Sequence, residues 1–448
     1  KYKQMFDFTY GLDAILTRPI SNGTIYGRYE DDDNINQIGV YGQAEYHVNE
    51  KLDLLGALRG DYQDRINEFF ISPRAALVYK PTPRHTARIT YNRAFSAPSA
   101  LNTALDLPQL FVPNGIIARG LGNPSGFNYN RGGDGFAQFK SPYDNQWYSV
   151  SNLSNNNVHF DGFLNSLTDL FVAQFLGPNP DPSLIEGQRT FIKGELVNLT
   201  GNLSTANSSL NDNVDRKVID FITNEEYDYT ALNDLDAIQS TVTQTMEIGY
   251  KGIIKDKLFV SADLYYTRIS NFVSPLSPAS YRVMYDDAAL AQELIPVVEA
   301  NLAGTNTLIT GALNSLAQAS GVSISEWLVG ATNAFSLGTV APDNDLVNSD
   351  LILTYVNLGE VDVAGADLGA TYVEKIKETT LTLSGMFSFV NKDRIPLAGA
   401  SGGFVALNAP KYKTSFAVEA ANIGETGIGA GLSWRWQDAF PANSAIYV

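Results

Sequence analysis

A chain of 448 residues with a formal net charge of −17, no cysteine, and 23 each of Tyr and Phe is too acidic for a nucleic-acid binder, which needs clustered Lys and Arg. It also lacks disulfide staples and thiolate metal sites. No run approaches about 18 consecutive apolar residues, which excludes a transmembrane helix but not a barrel strand, where only alternate residues meet lipid.

Period-two alternation organises the sequence from its first residues. The chain opens at Lys1 directly into Phe6, Phe8, Tyr10 and Leu12, with no signal peptide, and so reads as truncated or matured. Strands are expected at approximately 1–17, 35–49, 51–64, 69–80, 85–95, 241–254, 258–273, 350–374, 379–392, 411–422 and 427–438. In the second, Ile38, Val40, Ala44, Tyr46 and Val48 oppose Tyr41, Gln43, Glu45 and His47. In the seventh, Leu258, Val260, Ala262, Leu264 and Tyr266 oppose Ser261, Asp263, Tyr265 and Thr267. A soluble sandwich alternates too, but here the polar face carries charge in strand after strand: Glu45, Arg59, Arg74, Glu247, Lys251, Asp263, Asp367, Glu419 and Arg435. Most of the strands also run about 10–16 residues, against roughly 5–6 in soluble sheets.

Connections alternate between short (49–51, 81–84, 255–257, 375–378, 422–426) and long (about 96–240, 274–349, 393–410), the pattern of periplasmic turns and extracellular loops. Tyr46, Tyr79, Tyr250 and Tyr372 fall on the apolar face near short turns, as an interfacial girdle requires. These features predict an all-β, transmembrane antiparallel β-barrel. Eleven strands form an odd, open set whose edges would leave backbone groups unpaired in hydrocarbon, so further strands or another segment must close it. Ala445 to Val448 reads as the start of one more strand.

Four segments then resemble the TonB-dependent outer-membrane receptors, in that family's order. They are Ser72-Pro73-Arg74 through Tyr91-Asn92-Arg93-Ala94-Phe95-Ser96-Ala97-Pro98-Ser99; Thr245-Met246-Glu247-Ile248-Gly249-Tyr250 with Ile269-Ser270-Asn271; Tyr355-Val356-Asn357-Leu358-Gly359-Glu360 with Gly365-Ala366-Asp367-Leu368; and Asn408-Ala409-Pro410-Lys411-Tyr412. The resemblance implies a barrel of about 22 strands with a plug and a motif docking TonB, of which this sequence shows about half the strands and neither of the other parts. Residues 1–448 are therefore expected to be a partial outer-membrane barrel of a Gram-negative bacterium, carrying large extracellular loop regions at 96–240 and 274–349.

The first loop region mixes Asn and Gly with aromatics, and Tyr129, Arg131, Phe136, Trp147 and Tyr148 are its candidate ligand contacts. The competing expectation is that these side chains pack a small core of the loop itself. Helical spacing at Phe163 to Phe175 and Ala288 to Leu302 predicts short helices capping the barrel mouth. Region 96–240 holds 16 Asp and Glu against 7 Lys and Arg, a solvated acidic face; Asp31-Asp32-Asp33 could hold Ca²⁺, but no calcium-loop spacing surrounds it. His47, His85 and His159 are too dispersed in sequence to suggest a metal centre. No nucleophile elbow or phosphate loop points to an enzyme, and no cofactor is implied.

The function expected is a receptor that binds a small-molecule, glycan or peptide ligand on its loops and imports it through the barrel. Its partners would be membrane lipid and lipopolysaccharide, the TonB complex through an N-terminal part not in this sequence, and a surface lipoprotein or other outer-membrane protein. The alternative is a non-transporting barrel acting as a structural or protein-interaction scaffold. A passive porin is disfavoured by the size of region 96–240.

Overall fold

A computed structural model describes residues 5–112, 116–151, 156–176, 181–203, 214–342, 351–396 and 404–442. Eleven antiparallel strands form one continuous sheet in chain order: β1 (Phe6–Thr17), β2 (Ile35–Asn49), β3 (Leu52–Gln63), β4 (Glu68–Thr82), β5 (His85–Ser96), β6 (Thr241–Ile254), β7 (Leu258–Ser270), β8 (Glu360–Ile376), β9 (Thr379–Val390), β10 (Tyr412–Ala421) and β11 (Ala430–Gln437). Each strand pairs with its sequence neighbour, so β5 and β6 lie side by side although the whole first loop region separates them.

The register explains why the sequence specifies this sheet. Across the wall Tyr10, Gly42, Leu58 and Pro73 are successive partners, as are Ile89, Ile248, Leu264 and Ala366 and, further on, Phe387, Thr414 and Trp436. Every apolar series therefore reaches the same face, and a one-residue slip of any strand would turn its charges into lipid. Exposed Tyr10, Leu12, Leu58, Ile89, Ile248, Leu264, Leu432 and Trp434 mark that face. The connections 50–51, 83–84, 255–257, 377–378 and 422–429 gather at one end, and the long ones at the other, where the four-residue turn 64–67 is the short exception. Near the short-turn end the phenols meet polar groups: Tyr250 Oη lies 2.7 Å from His85 Nδ1, and Tyr372 Oη donates to Glu374 at 2.5 Å.

The opposite face carries ion networks that cross strands. Arg59 on β3 donates to Asp13 on β1 (2.8 and 2.9 Å) and to Asp61 (2.8 and 2.6 Å). Arg88 on β5 reaches Glu247 on β6 and Asp263 on β7, the latter at 2.9 Å. Glycine makes room for each guanidinium. A Cβ at Gly39 would overlap the Arg59 side chain, and one at Gly249 would overlap Asp263 and Arg88.

One expected strand divides. Residues 350–374 do not form a single element: Leu351–Thr354 pairs in parallel with Ile116–Leu121 in a separate sheet, and β8 begins only at Glu360. Gly359 between them has φ +56°, a left-handed conformation that breaks the strand. Leu351 and Leu353 also fall on the parity of Asp367, opposite to that of the lipid-facing Ala366, Leu368 and Ala370 of β8.

Overpacking against a fixed ion network is expected to cost about 1–3 kcal/mol. Gly249→Val should therefore lower the denaturant midpoint of the intact barrel in lipid vesicles, whereas Gly42→Val, whose Cβ would meet open space on the lipid face, should leave it nearly unchanged.

Candidate functional site

Connections 97–240 and 271–359 together build a folded body at the long-loop end. Its six-stranded sheet runs Glu226–Tyr227, Arg216–Ile219, Tyr281–Tyr285, Gly338–Val340, Gln138–Lys140, Trp147–Ser149, so strands of the second connection lie between strands of the first. Among the described residues, six helices accompany it: α1 (Ala100–Ala104), α2 (Asn156–Leu176), α3 (Pro182–Leu199), α4 (Asp287–Asn301), α5 (Thr307–Ala319) and α6 (Ile324–Ala334). α2 and α4 contain the two expected helical segments, while α3, α5 and α6 were not anticipated. Phe160, Phe163, Leu164 and Phe171 of α2 pack with Ile192, Leu196, Leu290, Leu294 and Leu313 in one core.

Several sequence candidates lie in that core. Tyr129 is 5% exposed and its hydroxyl donates to the Ala279 carbonyl at 2.8 Å. Phe136 is part-buried and meets the Tyr229 ring edge-on at 5.7 Å. Tyr148 donates to Asp144 and lies edge-on to His159, and burial with that carboxylate raises its hydroxyl to about 12. Arg131 ties the Leu232 carbonyl (3.1 Å) to Asp234 (3.2 Å). Trp147 alone presents a large exposed ring, 38% accessible, with Lys140 Nζ 5.8 Å from its centroid. Of the five, Trp147 and Arg131 have surface from which to meet a ligand directly.

Sequence reasoning placed His159 on a loop and did not single out Arg216. His159 instead sits on α2, 2% exposed, within 5.6–5.7 Å of the Phe139, Tyr143 and Tyr148 rings. Burial and the nearby Arg216 charge depress its imidazole to about 3. Arg216 lies beside Phe139, its guanidinium carbon 5.6 Å from the ring, and its three buried side-chain nitrogens have no hydrogen-bond partner among the described residues. Burial pulls it down to about 10, still cationic at neutral pH. Only the strand pairing of residues far apart in sequence brings these groups together, so no local motif announces them.

At the entrance, Asp106 is buried and accepts from Arg28 (2.7 Å) and Arg119 (2.7 Å), joining the 18–34 connection to the loop body. Asp32 of the acidic triplet pairs with Arg65 at 3.0 Å, while Asp33 is buried. On the charged face of the wall, Lys251, Glu419 and Arg435 line a concavity of about 850 Å³ and form no ion pair among the described residues.

A family model described as "TonB dependent receptor-like, beta-barrel" matches residues 2–445. No curated protein matches the sequence. Among solved structures, the siderophore receptor PirA from Acinetobacter baumannii is 10% identical with a TM-score of 0.40, over 92% of this chain and 37% of that one. The FrpB iron transporter from Neisseria meningitidis is 10% identical with a TM-score of 0.40, over 97% and 40%. The outer membrane transporter YddB from Escherichia coli is 9% identical with a TM-score of 0.40, over 93% and 35%. The chain thus spans two fifths or less of the length of these proteins.

Arg216→Met keeps most of the volume and removes a buried charge that has no ion pair among the described residues, so it should stabilise the loop body by about 1–4 kcal/mol in urea unfolding. His159 gives a pH dependence. The unfolded chain takes up a proton near 6.5 that the folded body refuses until about 3. Between those values the unfolded state binds more protons, and stability must fall as the medium is acidified. His159→Phe should flatten this part of the pH–stability curve, measured by loop-body melting between pH 7 and 4.

Proposed function

Because the chain belongs to the TonB-dependent receptor-like β-barrel family, we propose that it forms part of the wall and the ligand-capturing loop body of an outer-membrane importer. The family is one of receptors and transporters in the outer membrane of Gram-negative bacteria. The observation that carries the reading is the division of one sheet into two chemistries. Its apolar face suits lipid, and its charged face sets Lys251, Glu419 and Arg435 around an open concavity, with no ion pair to them among the described residues. Charges left free on a barrel interior are positioned to meet an interior occupant, which in this family is the plug.

Capture of a small-molecule, glycan or peptide ligand is assigned to the loop body, with exposed Trp147 and Arg131 and the part-exposed Lys140 as its contacts. Passage inward then requires TonB to supply energy through another part of the receptor. A second reading, a barrel docking other surface proteins such as a lipoprotein, draws on one feature. Leu170 and Phe175 of α2, with Leu184 and Phe191 of α3, are each more than 40% exposed, and such side chains serve protein contacts.

The two readings separate in cells. Under import, removing TonB should abolish ligand uptake while surface binding persists, and Trp147→Ala with Lys140→Ala should weaken that binding at least about tenfold, a loss of roughly 1.4 kcal/mol. Uptake unchanged without TonB would reject energised import. A stable protein partner lost on Leu184→Asp with Phe191→Asp, in cells that import nothing, would favour the scaffold.

A further inference from the structure

The two ends of the wall differ in how fully their polar side chains are satisfied. At the short-turn end His47 is held between Asp53 (2.7 Å) and Asp7 (3.0 Å), and Lys80 closes Asp53 from its other oxygen. That network is complete from within. At the long-loop end, on the apolar face, the register builds two rows across neighbouring strands. Tyr91 of β5, Met246 of β6 and Tyr266 of β7 are successive partners; one step further out come Arg93, Gln244 and Arg268, with Asp362 of β8 beyond. Below both rows Ile89, Ile248 and Leu264 are exposed. Leu258 to Arg268 covers most of β7, and about ten residues of a strand tilted by about 40° rise roughly 25 Å, the height of an apolar band. The outer row therefore lies at headgroup level, with Tyr91 and Tyr266 as the phenols of a second girdle.

We propose that Arg93, Gln244 and Arg268 form a binding site for the phosphate of one anionic lipid headgroup in the outer leaflet. Arg93 carries the argument. Its Nη1 donates to the Ile71 carbonyl at 2.8 Å, beyond the point, Arg74 opposite Asn92, where the β4–β5 ladder ends. A guanidinium has five donors, and Arg93 makes no further hydrogen bond or ion pair among the described residues. Gln244 is half used: its Oε1 accepts from Tyr91 at 3.2 Å, while its amide nitrogen has no acceptor among the described residues. Arg268 Nε donates to Asp362 at 2.9 Å and Nη2 reaches Tyr266 Oη at 3.4 Å, but Nη1 makes no hydrogen bond among the described residues. Unused donors thus stand on three adjacent strands, the two arginines about 10 Å apart at Cα with Gln244 between them.

The setting selects a lipid as the source of the phosphate. Hydrocarbon replaces water below the row, so an unpaired guanidinium there needs an anionic acceptor at the boundary. Phosphate suits it, because two parallel N–H groups of the planar fork meet two oxygens. A lipid lays its acyl chains on Ile89, Ile248 and Leu264 while its phosphate meets the row. A soluble anion would gain only the polar half of that match. Asp362, and Glu360 at 3.9 Å from Arg268, keep their charge on the β8 side. The phosphate position accordingly lies at Arg93 and Gln244, with Arg268 as its far wall. This site depends on the wall alone and not on import.

The test uses the intact receptor in non-ionic detergent, stripped of lipid, with phosphorylated lipid A as the probe and native mass spectrometry as the readout. One lipid per receptor should be retained, and lipid A without its phosphate should bind at least about tenfold more weakly. Arg93→Gln with Gln244→Leu should cause a similar loss for phosphorylated lipid A and none for the dephosphorylated form. A merely structural Arg93 would not give that selectivity. Arg84→Gln, at the opposite end of the wall and paired with Asp256 at 2.7 Å, should change neither. Heat-modifiable migration in gels confirms that each variant is folded. A folded double variant with wild-type retention overturns the proposal, as does equal retention of the two lipids by the wild type. Displacement of the lipid by equimolar inorganic phosphate would also overturn it, assigning the site to a soluble anion.

Discussion

Every part of this protein depends on satisfying backbone hydrogen bonds where no water can do so. In hydrocarbon each unpaired N–H or C=O costs several kcal/mol, so strands must pair along their whole membrane length. The ladder from β1 to β11 does this without interruption by any loop element, even where 144 residues of connection (97–240) intervene between β5 and β6. Once pairing is compulsory, the only freedom left is register, and register is what the side chains decide.

Register in turn determines the electrostatics of the interior. Arg59 and Arg88 reach across neighbouring strands because Gly39 and Gly249 leave the space their guanidinium groups fill. A larger residue at either glycine would keep the hydrophobic pattern and still break the network. These pairs are part-exposed to the interior, and their worth lies less in stability, which is modest for solvated pairs, than in fixing which strands sit opposite. Lys251, Glu419 and Arg435 have a different character, because they form no ion pair among the described residues and line a concavity.

Much of the wall was legible in the sequence because its signal is local. Alternation in 258–267 needs no knowledge of any other strand, and ten of the eleven strands lie within a few residues of their expected bounds. The exception is 350–374: Leu351–Thr354 is apolar enough to read as the start of the following strand but pairs with Ile116–Leu121, over 200 residues away in the chain. The loop body was legible only in outline. α2 and α4 show apolar spacing, but the short strands of three to five residues carry too little pattern to read, and Tyr129 looks the same in sequence whether it meets a ligand or the Ala279 carbonyl. His47 and Asp7 could not be joined by spacing at all, since their contact depends on the β1–β2 register.

The interleaving of the two connections has a kinetic consequence. Neither can complete its own sheet: Tyr281–Tyr285 and Gly338–Val340 sit between Arg216–Ile219 and Gln138–Lys140, and Leu351–Thr354 sits beside Ile116–Leu121. The first connection must therefore wait, with its apolar helices uncovered, until the second has crossed to the same side. Contacts of such long sequence separation form slowly, which makes closure of this body a late event in the protein's biogenesis. It also means that a single cut in either connection would leave both pieces held in place by the strands of the other.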